Sequence, residues 1–441
     1  MKRFLPSVRL LVGFALILPA AILAAPAGAV AASAVVLVGA GGLLVLLVVD
    51  GLRGPKPDAL ELERRLPRRL EVGEAARVHL VLRNRGSETW VVRLTDGCPD
   101  SLDATEAVVE ATLPPGSDTE ASYPVTPTAR GRFVFEPAHL RLRRPNGLAE
   151  HVRELGPRQE ARVLPTLRVL ARHRLRARRD LMNLGGARRT RVLGRDGDFD
   201  RLRDFVPGDD IRHVDWKATA RAGRPISRAW RAEKGQNLVV LIDGTRLMAT
   251  QSAGTTKLDQ ALQAGLTLAW AGLAAGDRVA AGVFDDGMRT WVPPVAGLPR
   301  FGRILDSIYD AEAVQRFPRY QEAARHLLRL LHRRSLVVWI TDLLDADQGQ
   351  ELVAAMRVLR RRHLSLVVAL DDPEIRALAA AEPQDRTGLF VRVGATEMLD
   401  ERQLLLRRLQ GEGTHVLDVA ADAVAPELVD RYLDIKMRGL V

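Results

Sequence analysis

The chain has 441 residues, of which 47% are apolar and 27% are charged. This composition excludes a wholly disordered protein, because enough apolar side chains are present to build a large core. A single cysteine, Cys98, excludes a disulfide framework, an iron–sulfur cluster and a cysteine-based zinc site. The net charge of +11 favours acidic partners such as anionic lipid headgroups, nucleic acid or an acidic protein.

Residues 1–57 are predicted to form a transmembrane hairpin. No charged residue occurs from Leu10 to Val49, and one helix needs only ~20 residues to cross the hydrocarbon core. Small residues around Pro26 predict a tight turn, which divides the run into spans of about 10–26 and 29–49. Two helices joined by a short turn satisfy every backbone amide inside the lipid.

Basic residues flank both ends of this apolar run. Lys2, Arg3 and Arg9 precede it, and Arg53 and Lys56 follow it. The positive-inside rule therefore places both termini in the cytoplasm. The prediction is a multi-pass protein of the inner (plasma) membrane with cytoplasmic soluble domains. A cleaved signal peptide is the alternative. Against it, the apolar run continues past the Ala-Pro-Ala sequence for long enough to form a stop-transfer helix.

Residues 58–165 are predicted to form a small β-sandwich. Apolar and other residues alternate along 76–84, 89–94 and 131–135, and Pro, Gly and Asn separate these short runs. Catalytic residue types do not converge in this part of the sequence, so we expect a structural or interaction role for it.

Residues 166–195 form a basic connector, in which nine arginines between Arg168 and Arg191 are opposed by Asp180. A solvated linker is one interpretation, and a patch that contacts anionic headgroups is another. Aromatic residues do not alternate with these arginines, so we expect no nucleic acid partner of the base-stacking type.

Residues 196–441 are predicted to contain a signature block and a doubly wound, mostly parallel α/β domain. Strands are predicted at 237–242, 278–284, 335–341, 364–370 and 414–419, and helices at 257–275, 303–313, 320–332, 348–362 and 426–438. Ligands of such sheets bind beyond the carboxyl ends of the strands. Asp243, Asp342 and Asp371 each follow a strand, so they can gather oxygen ligands for a hard cation. The alternative is that these acids cap helices and hold loops.

The signature block, residues 198–221, is dense in charge around a few apolar anchors. Pro207 and Gly208 predict a tight turn, after which Asp209 or Asp210 is expected to cap a helix near Ile211. The side chains expected to face the sheet are Val214, Trp216 and Ala220, and those expected in a network at its buried edge are Arg212, Asp215 and Lys217. Residues 225–231 are predicted to pair as a strand at the sheet edge.

Two functions are open for the signature block. His213 with Asp209, Asp210, Asp215 and Asp243 has the residue types of a metal-dependent hydrolase. The favoured alternative is a salt-bridged platform that binds a partner protein. Its predicted members are Arg203, Asp209, Asp210, Arg212, Asp215, Trp216, Lys217 and Arg221.

The strand-end residues Asp243-Gly244-Thr245 and Thr341-Asp342 resemble the von Willebrand factor A domain. The resemblance implies a metal-ion-dependent adhesion site in which Asp243, Thr245 and Asp342 hold Mg²⁺ and an acidic side chain of a partner completes the coordination. Leu247 stands where the family has its second hydroxyl, so the implied site is degenerate.

The signature block also resembles the DUF fifty-eight family, through residues 203–210 and 212–221 and the helix that begins Lys257-Leu258-Asp259. The resemblance covers nearly the whole chain. It implies a membrane-anchored, non-enzymatic adaptor that acts with a MoxR-type AAA+ ATPase in assembling or activating proteins at the cell envelope.

Overall fold

The computed structural model describes residues 4–67, 69–104, 108–166, 198–205, 214–231, 235–252, 254–343 and 346–440. The chain divides into two compact units, residues 1–164 and 165–441. The basic connector beyond Thr166 lies outside the described residues, as do four predicted site residues, Asp209, Asp210, Arg212 and His213.

The N-terminal part of the first unit contains two antiparallel helices, α1 (Val8–Ala24) and α2 (Ala29–Leu52). A short turn that ends at Gly28, whose φ is 112°, joins them. The helices approach closely at glycines. A Cβ on Gly13 would lie 3.1 Å from Leu43 Cδ1, and one on Gly39 would lie 3.2 Å from Ile17 Cγ1. Small residues at such contacts are typical of helices that pair in membranes.

The two apolar helices differ in length. Helix α2 has 24 residues and is long and apolar enough to cross a membrane. Helix α1 has 17 residues and falls below that length. A membrane-like helix over the predicted span 29–49 is therefore observed. The first span, about 10–26, stays a prediction, and its helix ends at Ala24.

The rest of the first unit is two β-sheets around one apolar core. The strands are β1 (Phe4–Pro6), β2 (Leu60–Arg65), β3 (Leu70–Glu71), β4 (Ala76–Asn84), β5 (Trp90–Gly97), β6 (Val108–Leu113), β7 (Asp118–Val125), β8 (Gly131–Arg143), β9 (Ala149–Leu155) and β10 (Gln159–Leu164). Strands β2, β4 and β7 form one sheet, and the other seven form the second. Leu80 from the first sheet and Trp90 and Leu140 from the second lie in the same buried cluster. The predicted strand-rich module is thus a sandwich of two sheets.

Both ends of the helical pair attach to one edge of this sandwich. Ahead of α1, strand β1 pairs antiparallel with β9, with Phe4 opposite His151. Near the end of α2, the Asp50 carboxylate accepts hydrogen bonds from the backbone N–H groups of Leu148 at 2.7 Å and Ala149 at 2.9 Å. The two ends of the pair therefore lie side by side.

The second unit contains a two-stranded ribbon of β11 (Asp198–Asp204) and β12 (Ile226–Arg231), with helix α3 (Trp216–Ala222) between them in sequence. The prediction that 225–231 pairs at the edge of the large sheet is wrong, because β12 pairs antiparallel with β11 instead. Strands that follow one another along the chain are often neighbours in space, and these two pair across the long connection, 205–225, that contains α3.

A six-stranded sheet forms the centre of the second unit. Its strands are β13 (Asn237–Asp243), β16 (Arg278–Phe284), β17 (Met288–Ala296), β18 (Ser335–Thr341), β19 (Leu364–Asp371) and β20 (His415–Ala420), and a separate small hairpin pairs β14 (Gln251–Ser252) with β15 (Thr255–Thr256). The helices are α4 (Lys257–Ala274), α5 (Phe301–Ile308), α6 (Tyr320–Leu330), α7 (Ala346–Leu359), α8 (Pro373–Ala380), α9 (Arg386–Gly411) and α10 (Val424–Met437).

The strand order of this sheet is β17-β16-β13-β18-β19-β20, and every neighbouring pair is parallel except β16 and β17. Counted along the chain, the first and fourth strands are neighbours at the centre. The strand order reverses between them, and such a switch point opens a crevice at the carboxyl ends of the strands. The predicted parallel α/β domain is confirmed, with an antiparallel edge strand that the sequence did not predict.

Candidate functional site

The carboxyl ends of β13 and β18 meet at the switch point. Asp243 ends β13, Thr245 lies two residues beyond it, and Asp342 directly follows β18. Their exposed fractions are 1%, 0% and 2%. The fold therefore brings the three residues that were predicted to hold Mg²⁺ to the same end of neighbouring strands, and buries all of them.

The Asp243 carboxylate is held by its neighbours. Oδ1 accepts the backbone N–H of Thr245 at 2.9 Å, and Oδ2 accepts the hydroxyl of Thr341 at 2.6 Å. The Tyr320 hydroxyl lies 2.7 Å from Thr341 Oγ1 and extends this buried network. Burial raises the pKa of Asp243 to about 6, against the hydrogen bonds from Thr341 and Thr245, which lower it.

A lysine that the sequence analysis missed completes the strand-end site. Lys257, the first residue of α4, is fully buried, and its Nζ lies 2.7 Å from Asp342 Oδ2 and 2.8 Å from Asp372 Oδ2. Burial lowers the pKa of Lys257, but the two carboxylates outweigh it and raise the pKa above its ordinary value. A signal existed in the sequence: a cation in the first turn of a helix opposes the helix dipole, so it needs acidic partners elsewhere.

The start of α4 is fixed by a capping box. The Thr256 hydroxyl accepts the backbone N–H of Asp259 at 3.1 Å, and the Asp259 carboxylate accepts the backbone N–H of Thr256 at 3.3 Å. These reciprocal bonds set the direction in which the chain enters the helix. They therefore hold Lys257 at the strand ends.

The residues at the switch point do not fit Mg²⁺ well. Among the described residues, Thr245 Oγ1 and Asp342 Oδ1 are buried oxygens without a hydrogen-bond partner, whereas both Asp243 oxygens accept hydrogen bonds. Mg²⁺ demands six oxygen ligands in near-octahedral geometry. Here the Asp342 carboxylate is already neutralised by an ammonium, and Asp371, the other predicted acid, pairs with Arg376 at 2.5 Å. The metal assignment stays a prediction.

Helix α3 carries the described part of the predicted partner-binding platform. The Asp215 carboxylate caps it by accepting the backbone N–H of Ala218 at 2.9 Å. The Thr219 hydroxyl accepts the N–H of Ile226 at 2.9 Å, and the Asp215 N–H donates to the Ile226 carbonyl at 2.8 Å. The inner face of the helix is thereby fixed to the start of β12.

The opposite face of α3 is exposed. Trp216, Lys217, Ala220 and Arg221 lie on it, at the spacing that places residues along one side of a helix. The exposed fraction of Trp216 is 68%. The expectations that Trp216 and Ala220 face the sheet and that Lys217 joins a buried network are therefore wrong, because Thr219 occupies the inward direction. Arg203, on β11, is half-buried.

One part of the chain matches a described protein family. Residues 201–399, which include most of the ribbon and most of the six-stranded sheet, match the family described as "Protein of unknown function DUF58". The chain is also similar to an uncharacterized protein of Mycobacterium bovis and to uncharacterized proteins of Mycobacterium tuberculosis, at 26% identity over 173 residues. This alignment covers 39% of the chain and spans about half, 54%, of each relative's length.

Solved structures resemble parts of the chain distantly. An aerotolerance-related membrane protein from Bacteroides fragilis is 15% identical, with a TM-score of 0.30, over 45% of this chain and 99% of that one. The CARDB domain of the Pyrococcus furiosus protein PF1109, solved with di-metal ions, is 16% identical, with a TM-score of 0.17, over 24% of this chain and 87% of that one. At these TM-scores the likenesses establish neither fold nor function for the chain.

Proposed function

We propose that the chain is a membrane-anchored, non-enzymatic adaptor whose second unit is a von Willebrand factor A-like protein-binding domain. Its partner would be a MoxR-type AAA+ ATPase that assembles or activates proteins at the cell envelope. The observation that carries this proposal is the exposed face of α3, where Trp216 stands 68% exposed beside two cations.

The composition of that face is typical of an interaction hot spot. Tryptophan and arginine are enriched among the residues that dominate binding energy, and Trp216 and Arg221 are both exposed on α3. The helix is capped by Asp215 and fixed to β12, so it loses little conformational freedom when a partner binds. Lys217 and Arg221 add positive charge, which favours an acidic surface on the ATPase.

The helical pair supports the membrane anchor. Apolar side chains are widely exposed on both helices, including Leu23 at 82% on α1 and Val30 at 83% on α2. An apolar surface of this extent belongs in lipid. Because β1 and Asp50 attach to the same edge of the sandwich, we propose that the pair enters and leaves the bilayer on one side, which the flanking basic residues place in the cytoplasm.

The sheet topology supports the A-like assignment. Six strands wind in both directions from the switch point, and Asp243, Thr245 and Asp342 lie there. These positions carry the sequence resemblance to the von Willebrand factor A domain.

The test is a binding measurement with the full chain in lipid nanodiscs and the purified MoxR-type ATPase of the same organism. We expect Trp216→Ala and the double variant Lys217→Glu/Arg221→Glu each to raise the Kd about 10-fold or more. The matched control is Arg325→Glu/Arg329→Glu on α6, whose side chains are 62% and 68% exposed. Equal affinities for all variants, or turnover of a substrate by the purified chain, would overturn the proposal.

A further inference from the structure

The strand-end site contains its own cation. Lys257 is 0% exposed, and its ammonium lies between the carboxylates that follow β18 and β19, 2.7 Å from Asp342 and 2.8 Å from Asp372. A buried ammonium is tolerated only when opposite charges and hydrogen bonds replace its water shell. The two carboxylates supply both.

We propose that the Lys257 ammonium takes the place of a divalent metal ion at this site, so that the strand-end face of the domain is completed without Mg²⁺. This inference rests on the proposed A-like domain, and it specifies how that domain differs from a metal-dependent one. The ammonium carries the positive charge that the strand-end carboxylates require, and the capped start of α4 holds it in place.

Electrostatics and access both oppose a metal ion at this position. A divalent cation on Asp342 would share that carboxylate with an ammonium already 2.7 Å away, and the two like charges repel strongly in a buried environment. Asp243, Thr245 and Asp342 are at most 2% exposed, so an acidic side chain of a partner does not reach them from the surface. Partner binding is therefore metal-independent and uses exposed residues instead.

The experiment compares metal responses of the full chain in detergent micelles. We measure thermal unfolding by tryptophan fluorescence in a Trp90→Phe background, so that the signal comes from the second unit, in EDTA and in excess Mg²⁺ or Mn²⁺. Direct Mn²⁺ binding is measured by calorimetry. The wild type should unfold within about 1 °C of the same temperature in each condition. Lys257→Ala should unfold at a lower temperature in EDTA and should regain about 5 °C when Mg²⁺ or Mn²⁺ is added.

The matched control removes a second largely buried lysine at the opposite end of the sheet. Lys436 pairs with Asp277 at 2.5 Å, next to the start of β16. Lys436→Ala should lose stability without gaining a metal response.

A wild type that binds Mn²⁺ and loses this binding in Asp342→Asn would overturn the inference, and this comparison holds even if Lys257→Ala does not fold. The same metal response in the wild type and Lys257→Ala would also overturn it. ATPase binding in EDTA is measured separately, so failure of the adaptor function is distinguishable from failure of this inference.

Discussion

Buried ionic groups in this chain are satisfied by partners that lie far away in sequence. In the first unit, Arg64 pairs with Asp96 at 2.5 Å, and the Tyr123 hydroxyl donates to the same carboxylate at 2.6 Å. In the second, Lys257 lies 85 positions from Asp342. Such pairs hold separate strands and helices in one arrangement, because loss of one member leaves the other charge buried without compensation.

His363 is a buried histidine whose protonation opposes folding. It lies in the turn between α7 and β19 and is 3% exposed, and among the described residues neither of its ring nitrogens has a hydrogen-bond partner. Burial lowers the pKa of His363 below its ordinary value, and Arg362 and Arg334 lower it further. Below about pH 6.5 the unfolded chain binds a proton that the folded chain resists, so this residue destabilises the fold as the pH falls.

We therefore expect His363→Leu to be less sensitive to acid than the wild type. The difference in unfolding temperature between the two should shift in favour of the variant from pH 7.5 to pH 5.5, as measured by thermal denaturation. His332→Leu is the control, because His332 is exposed in the same unit. A constant difference across this pH range would show that His363 does not contribute.

For single residues, the sequence predicted their place at a strand end better than it predicted whether a side chain is buried or exposed. Asp243, Thr245 and Asp342 lie at the strand ends as predicted. A strand that is buried along its whole length is a continuous apolar run in the sequence, and the first polar residue after the run marks its end. The burial of Lys257 and the exposure of Trp216 were not predicted. Both depend on which face of a helix meets the sheet, and tertiary packing decides that.

At the scale of elements, the strands of the parallel sheet were predictable and its antiparallel edge was not. Strand β13 is buried at every position, so its apolar run is continuous. Strand β17 varies irregularly in burial and contains Pro293 and Pro294, a residue type that is depleted in strands. Proline is tolerated there because β17 lies at the edge of the sheet.

Helices α8 and α9 were also missed. The first half of α9 is exposed around much of its circumference, with Leu389 at 49%, Phe390 at 65% and Val393 at 55%. An apolar stripe at helical spacing therefore appears only in the second half, where Leu405, Leu406 and Leu409 are buried. A pattern search that relies on one buried face does not find the first half.

Strands β16 and β17 approach so closely at Gly282 that a larger residue there should destabilise the sheet. A Cβ on Gly282 would lie 2.7 Å from the backbone carbonyl oxygen of Thr290 on β17, which cannot move without disturbing the ladder. We expect Gly282→Ala to reduce the free energy of unfolding by about 1–3 kcal/mol, as overpacking does. Chemical denaturation measures this change.

The control for that substitution is Gly287→Ala, in the turn between the same two strands, where a Cβ meets nothing within 4 Å. It should leave the stability nearly unchanged. Equal losses in the two variants would mean that β17 adapts to the extra methyl group, contrary to our expectation.

At the scale of the whole molecule, the helical pair predicts a topology. Strand β1 and Asp50 attach to the same edge of the sandwich, so both ends of the pair should lie on one side of the membrane. In a Cys98→Ser background, a membrane-impermeant maleimide should label Ala25→Cys, in the turn, from outside intact spheroplasts. It should label Ser87→Cys, in the sandwich, only in inverted vesicles.

Labelling of Ser87→Cys from outside intact spheroplasts would place the sandwich on the other side of the membrane and refute the proposed topology. Both positions are exposed, so access of the reagent within the protein does not limit either reaction. Treatment of permeabilised cells serves as the positive control for the two variants.

The runs and alternation of apolar residues in the sequence were enough to predict the membrane-like helix, the strand-rich first unit and the parallel strands that lead to Asp243 and Asp342. These features are local, because periodicity and run length reflect how each segment is buried. Tertiary structure alone decided that β12 pairs with β11, that Trp216 points outward and that Lys257 reaches two acids. Each of these outcomes depends on contacts between segments distant in sequence, for which no local pattern exists.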